Sequence, residues 1–254
     1  MRFSKALSYA SRLERGILAI LALAASSLFA FVYLADEVME GSTHGFDSRV
    51  LLFFRNPQDL SDPIGPRWFE EVMRDFTALG GTAVLTLLTI FVTGFLVMSG
   101  KRRSAALVAT SIVLGTAFST VLKLVFDRPR PDLVPHGMDV YTLSFPSSHA
   151  MMSALVYLTL GALLARTQSS VRVRVYLLVC AILLTFLIGV SRIYLGVHWP
   201  TDVLAGWAVG SCWALLSWLI ARRLQTAGPV EAPGVSSAEG GVATPPSVSK
   251  DQAA

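Results

Sequence analysis

The sequence predicts an all-α membrane protein, a polytopic bundle of six transmembrane helices with both termini in the cytoplasm. Three observations carry that expectation. Charged residues make up only 15% of the chain against 53% hydrophobic, well below the roughly 25% charge of an ordinary soluble domain. The apolar residues gather into six blocks nearly free of charge, and a helix of about 20 such residues crosses a hydrocarbon core. Lysine and arginine concentrate in alternate loops between those blocks. Burying six such blocks in a soluble globule would leave too little polar surface to solvate it.

Taken in order, residues 1–15 form a basic cytoplasmic segment carrying Arg2, Lys5, Arg12 and Arg15. The six-span domain covers 16–223, and its first span is 16–34. A basic start followed by "ALAASS" also suits a signal peptide, but the apolar run is long for one. The loop 36–77 holds nine acids against four arginines. Within it, "RWFEEVMRDF" sets Trp68, Phe69, Val72, Met73 and Phe76 at helical spacing, which predicts an amphipathic helix at the interface or capping the bundle. Spans follow at 78–99 and 105–125, separated by Lys101, Arg102 and Arg103. Two shorter blocks, 151–164 and 175–190, flank Arg166, Arg172 and Arg174. The last span, 203–221, ends at Arg222 and Arg223. The positive-inside rule places these basic loops in the cytoplasm and the acidic loop outside. Cys180 and Cys212 fall inside spans and read as packing residues. The segment 224–254, rich in Ala, Gly, Pro, Ser and Val, predicts a disordered cytoplasmic tail.

Polar residues gather at three span ends, all on the outer side. "KLVFDRPRP" (123–131) ends the third span, and Lys123 and Arg130 lie two helical turns apart if the helix persists. Interfacial anchoring alone would explain both cations. "PSSH" (146–149) opens the fourth span. Ser147 and Ser148 are good N-cap residues, His149 falls in the first turn, and a helix N-terminus attracts phosphate. "SRIYLGVHWPTD" (191–202) joins spans five and six, with Arg192 and His198 in the loop and Pro200 at the first helical position. From the first turn of span six, Asp202 is close enough in sequence to orient one nitrogen of His198 and leave the other as a lone-pair donor. Each cluster has an ordinary structural explanation alone, but their coincidence on one face points to a site. A metal would want several His, Asp, Glu or Cys ligands together. Here Lys123, Arg130 and Arg192 suit a phosphoryl group instead. His44 and His136 read as plain loop histidines.

In this order and spacing, Lys123 with Arg130-Pro131, then Pro146 to His149, then Ser191-Arg192 with His198 and Asp202, the chain resembles the type 2 phosphatidic acid phosphatase family. One position departs from it, since the family usually has glycine where this chain has Ser148. The resemblance implies that His198 attacks phosphorus and forms a phosphohistidine, with Asp202 orienting it. It implies that His149 protonates the leaving oxygen and then activates water. Lys123, Arg130, Arg192, Ser147 and Ser148 would bind the phosphate, with no metal or other cofactor. Family substrates are undecaprenyl and other prenyl diphosphates, phosphatidate, phosphatidylglycerol phosphate and lipid A phosphates. The expected partner is therefore a lipid phosphate in the bilayer, with no role for nucleic acid. The expected location is a bacterial inner membrane with the site facing the periplasm. A phosphotransferase using the same phosphohistidine is an alternative. A non-catalytic lipid-phosphate binder or transporter is another, and it would not need the His198–Asp202 pair.

Overall fold

The computed structural model describes residues 2–138 and 142–226, with side chains for 14–138 and 142–223. Eight helices run through them: α1 (Arg2–Met39), α2 (His44–Phe53), α3 (Arg67–Leu79), α4 (Thr82–Met98), α5 (Arg102–Phe126), α6 (Ser148–Arg166), α7 (Val171–Tyr194) and α8 (Pro200–Thr226). An antiparallel hairpin, β1 (Arg55–Asn56) and β2 (Asp59–Pro63), lies between α2 and α3. The expected tail beyond Thr226 lies outside the described residues.

Five helices are each long and apolar enough to cross a membrane: the stretch Glu14–Met39 of α1, then α5, α6, α7 and most of α8. Taken together, α3 and α4 are also long and apolar enough for a crossing, but they are bent by 47°. This corrects the expected continuous span 78–99. The chain breaks at Gly80-Gly81, where Gly81 is extended (φ −72°, ψ 150°) and serves as the N-cap of α4. A side chain at Gly80 would stand 2.5 Å from the Ile188 side chain, so glycine lets this corner pass close over α7. With 17 residues, α4 alone spans about 26 Å, a little short of a hydrocarbon core.

At the centre of the bundle, α6 packs against α7 and α8, while α1 lies along α8 and α4 along α5. The approach of α6 to α8 is close because Gly206 and Gly210 carry no Cβ. One on Gly206 would sit 2.7 Å from the Ser147 carbonyl, and one on Gly210 would strike that of Met151. Small residues allow such contacts where lipid supplies no hydrophobic drive between helices. Ser111 of α5 and Ser217 of α8 add a buried hydroxyl pair at 2.8 Å. Outward faces, including Leu18, Phe29, Phe91 and Leu124, stay exposed, as a lipid-facing surface requires.

The long loop is more structured than expected. The predicted amphipathic helix is α3; its Met73 is buried and, with Phe69 and Phe76, packs on Tyr194, Leu195 and Val197. Neither α2 nor the hairpin was predicted. Three buried contacts pin this segment to one end of the bundle. Arg55 donates to the Tyr194 carbonyl at 2.8 Å, Arg192 donates to the Thr77 hydroxyl at 2.9 Å, and Asp47 accepts from Thr201. The same end carries the C-termini of α5 and α7 and the N-termini of α6 and α8, opposite the Lys101–Arg103 and Arg166–Arg174 loops.

Candidate active site

Each polar cluster reaches the site by a different local route. Helix α5 stops at Phe126 because Asp127 turns left-handed (φ 41°, ψ 35°), and Pro129 and Pro131 keep the following chain irregular. Lys123 and Arg130 are thus not two turns apart on one helix, as the spacing suggested. They still face one cavity from different segments. Arg192 was expected in a loop but lies in the last turn of α7. His198 sits in the short turn that follows, and α8 starts at Pro200 as expected.

A cavity of about 350 Å³ is lined at its polar end by Lys123, Arg130, Arg192, Ser148, His149 and His198. Leu85, Ile112 and Met152 line it deeper in the bundle, with Thr82, Thr86, Thr116 and Thr120 along its walls. Among the described residues, no carboxylate lines it. Lys123 donates to the Leu143 carbonyl at 2.5 Å. Arg130 donates to the carbonyls of Val197 at 2.5 Å and Thr142 at 2.6 Å. Arg192 is 2% exposed, and its Nε has no partner among the described residues. None of these three cations forms an ion pair among the described residues. Taking cations out of water costs several kcal/mol each unless something compensates. Such a cluster is built to receive an anion.

His198 is fixed from both sides. Its Nδ1 faces Asp202 Oδ2 at 3.3 Å, and its Nε2 lies 3.3 Å from Arg130 Nη1 on the cavity wall. Asp202 accepts only, so Nδ1 carries the proton and the Nε2 lone pair faces the cavity. Burial, reinforced by Arg192, Arg130, Lys123 and the His149 ring, pushes His198 well below the usual histidine range. Its neutral, nucleophilic form therefore persists at neutral pH.

Two comparisons with known proteins decide the family. The PAP2 superfamily model matches residues 104–225. Phosphatidylglycerophosphatase B of Bacillus subtilis is 32% identical over 193 residues, covering 72% of this chain and 88% of the relative. The chain belongs to the PAP2 superfamily. A lipid A 1-phosphatase of Rhizobium etli is 27% identical over 196 residues, 68% of this chain and 79% of the relative. Among solved structures, the PAP2-type phosphatidylglycerolphosphate phosphatase of B. subtilis superposes with a TM-score of 0.70 at 26% identity, covering 79% of this chain and 96% of that one. Aquifex aeolicus LpxE gives 0.51 at 26% identity, covering 67% and 93%. Like these relatives, the chain is a membrane-embedded PAP2 lipid phosphatase, a hydrolase of phosphate esters.

Of the eight site residues named from sequence, six meet at the cavity and two stand behind it. Asp202 backs His198. Ser147 was expected to touch phosphate, but it is fully buried and caps α6, its Oγ accepting from Ala150 N at 3.4 Å. Ser148, where the resemblance led to an expectation of glycine, does face the cavity, and its hydroxyl pairs with Ser119 at 2.9 Å. The serine is thus accommodated by a neighbour on α5. Other polar residues at the site escaped sequence reasoning. Ser144 donates to Asp202 Oδ2, and Thr77 and Met138 Sδ contact Arg192. Asp47 and Arg128 lie behind Asp202. Arg128 stands inside the "KLVFDRPRP" stretch, so its position was visible although its role was not.

Proposed function

We propose that this protein removes a phosphate from a lipid phosphomonoester or diphosphate through a phosphohistidine, on the periplasmic face of a bacterial inner membrane. The observation that carries this reading is the cluster of Lys123, Arg130 and Arg192, without carboxylate partners among the described residues, around the cavity-facing Nε2 of His198. That nitrogen attacks phosphorus, the P–O bond to the lipid breaks, and His149, protonated once the phosphate's negative charge is bound beside it, delivers its proton to the leaving oxygen. A water then attacks the phosphohistidine and gives its proton to His149. The P–N bond breaks with its electrons returning to the imidazole. The three cations meet the charge that develops on the phosphoryl oxygens, the part that Mg²⁺ and arginine play in other phosphoryl-transfer sites. A lipid tail would follow Leu85, Ile112 and Met152 into the bundle while its phosphate remains at the polar end.

The proposed orientation rests on the basic loops at the opposite end of the bundle. The test is phosphate release by the detergent-purified protein in excess EDTA, on undecaprenyl diphosphate, phosphatidate and phosphatidylglycerol phosphate, with His198→Ala as control. EDTA-resistant release that the substitution abolishes is the expected result. Release that survives in His198→Ala, or that EDTA stops, would overturn the mechanism.

A further inference from the structure

Behind the His198–Asp202 pair, away from the cavity, lies a second polar assembly. Arg128 Nη1 donates to Asp202 Oδ1 at 2.6 Å, and its Nη2 donates to Asp47 Oδ2 at 2.7 Å. Both carboxylates are wholly buried. Asp47 also accepts from the Thr201 amide at 2.9 Å and from its hydroxyl at 2.7 Å. Arg128 Nη1 donates to that same hydroxyl at 2.9 Å. Trp199 lies under the guanidinium, 5.5 Å from its carbon to the ring centroid, and donates to the Pro129 carbonyl at 3.1 Å.

A buried carboxylate is costly unless paired and fully hydrogen-bonded. Two of them sharing one guanidinium, off the substrate cavity, form a costly arrangement whose geometry points to a use. The division of labour on Asp202 suggests which. Arg128 takes Oδ1, so Oδ2 is left for His198, Ser144 and the Trp199 amide. We infer that Asp47 and Arg128 act as a clamp that fixes the rotation of the Asp202 carboxylate and thereby holds the His198 ring with its proton on Nδ1. Asp47 belongs to α2, so the clamp makes the outer segment part of the machinery that aims the nucleophile. Both are positioning residues, since neither lines the cavity.

The inference rests on His198 being the nucleophile, and its test separates the two ideas. The ¹⁵N signals of His198 at neutral pH read the tautomer directly, whether or not the protein turns over a given lipid. In the wild type, one ring nitrogen should appear protonated and the other bare. Asp47→Asn keeps the shape but removes the charge that holds the far end of Arg128. Arg128→Lys keeps the charge but loses the fork that spans two carboxylates. Each should draw the two nitrogen signals towards each other as the tautomers mix. Each should also lower kcat by about tenfold to a hundredfold, the usual cost of losing a partner behind a functional group, with KM within about twofold. Should one variant fail to fold, the other carries both readouts. An unchanged tautomer would overturn the clamp, as would a loss confined to KM. A wild type that releases no phosphate from any lipid would instead strike the phosphatase reading and leave the NMR result standing.

Discussion

Arg128 and Arg192 lie on opposite sides of His198 and live in opposite electrical surroundings. Arg128 is shared between Asp47 and Asp202, so its side of the site carries two negative charges against one positive. Arg192 has a hydroxyl, a thioether and an orphaned Nε for company. With Lys123 and Arg130 it makes a wall of three positive charges and, among the described residues, no acid. The same residue type is thus a fastener on one side and a receptor on the other. What separates the roles is whether the fold supplies the counter-charge or leaves it to the ligand.

Substitutions that treat the two walls alike should therefore give unlike results. The largest effect is expected at the ring between them. His198→Ala should lower kcat/KM by at least about 10³-fold, as loss of a nucleophile does elsewhere, measured as phosphate release. Arg192→Met should lower activity by about 10²-fold, the scale of one lost electrostatic donor. It should leave the midpoint of thermal unfolding in detergent unchanged or higher, because an unpaired buried charge is gone. Arg128→Met should do the reverse to stability and lower it by about 3–5 kcal/mol, since two buried carboxylates lose their shared partner. Equal stability changes in the two methionine variants would erase the distinction.

A smaller effect concerns pH. In the proposed mechanism His198 attacks as a neutral nucleophile, and its surroundings hold its pKa below the ordinary value of about 6.5. Falling pH should therefore leave kcat/KM flat through 6.5 and reduce it only further into acid. An acid limb at or above 6.5 would mean that the cationic wall does not act on the ring. Smallest of all, Ser148→Gly should change kcat by less than about threefold, because Ser148 turns its hydroxyl to Ser119 in the cavity wall rather than crowding the cavity.

The receptor wall was legible in the sequence and the fastening side largely was not. Lys123, Arg130, His149, Arg192 and His198 stand at the ends of apolar spans, where a polar residue is conspicuous. The reach of Asp202 back to His198 spans four residues and could be counted. Asp47 gave no such signal, being one of nine acids in a loop. Its partners lie 81 and 154 positions away, a pairing that only the folded chain reveals. The spans were readable by composition, yet the break at Gly80-Gly81 was not. Its cause is the close passage over Ile188, a tertiary contact that leaves no local periodicity. For Ser147 the sequence left two roles open, helix cap and phosphate contact, and the structure shows the cap. A serine that caps a helix and one that faces a ligand look identical until the helix start is known to the residue.

His149 lies in the first turn of α6 and His198 in the turn just before α8, and neither histidine sets the gap between them. That gap is kept by two missing methyl groups, those that Gly206 and Gly210 lack, where α8 lies directly on the backbone of α6. Backbone resting on backbone has no rotamers with which to yield. The spacing between the two imidazoles is therefore a gauge cut into the scaffold, indifferent to which lipid occupies the cavity. The walls can drift in evolution to suit a new headgroup while the gauge stays the same.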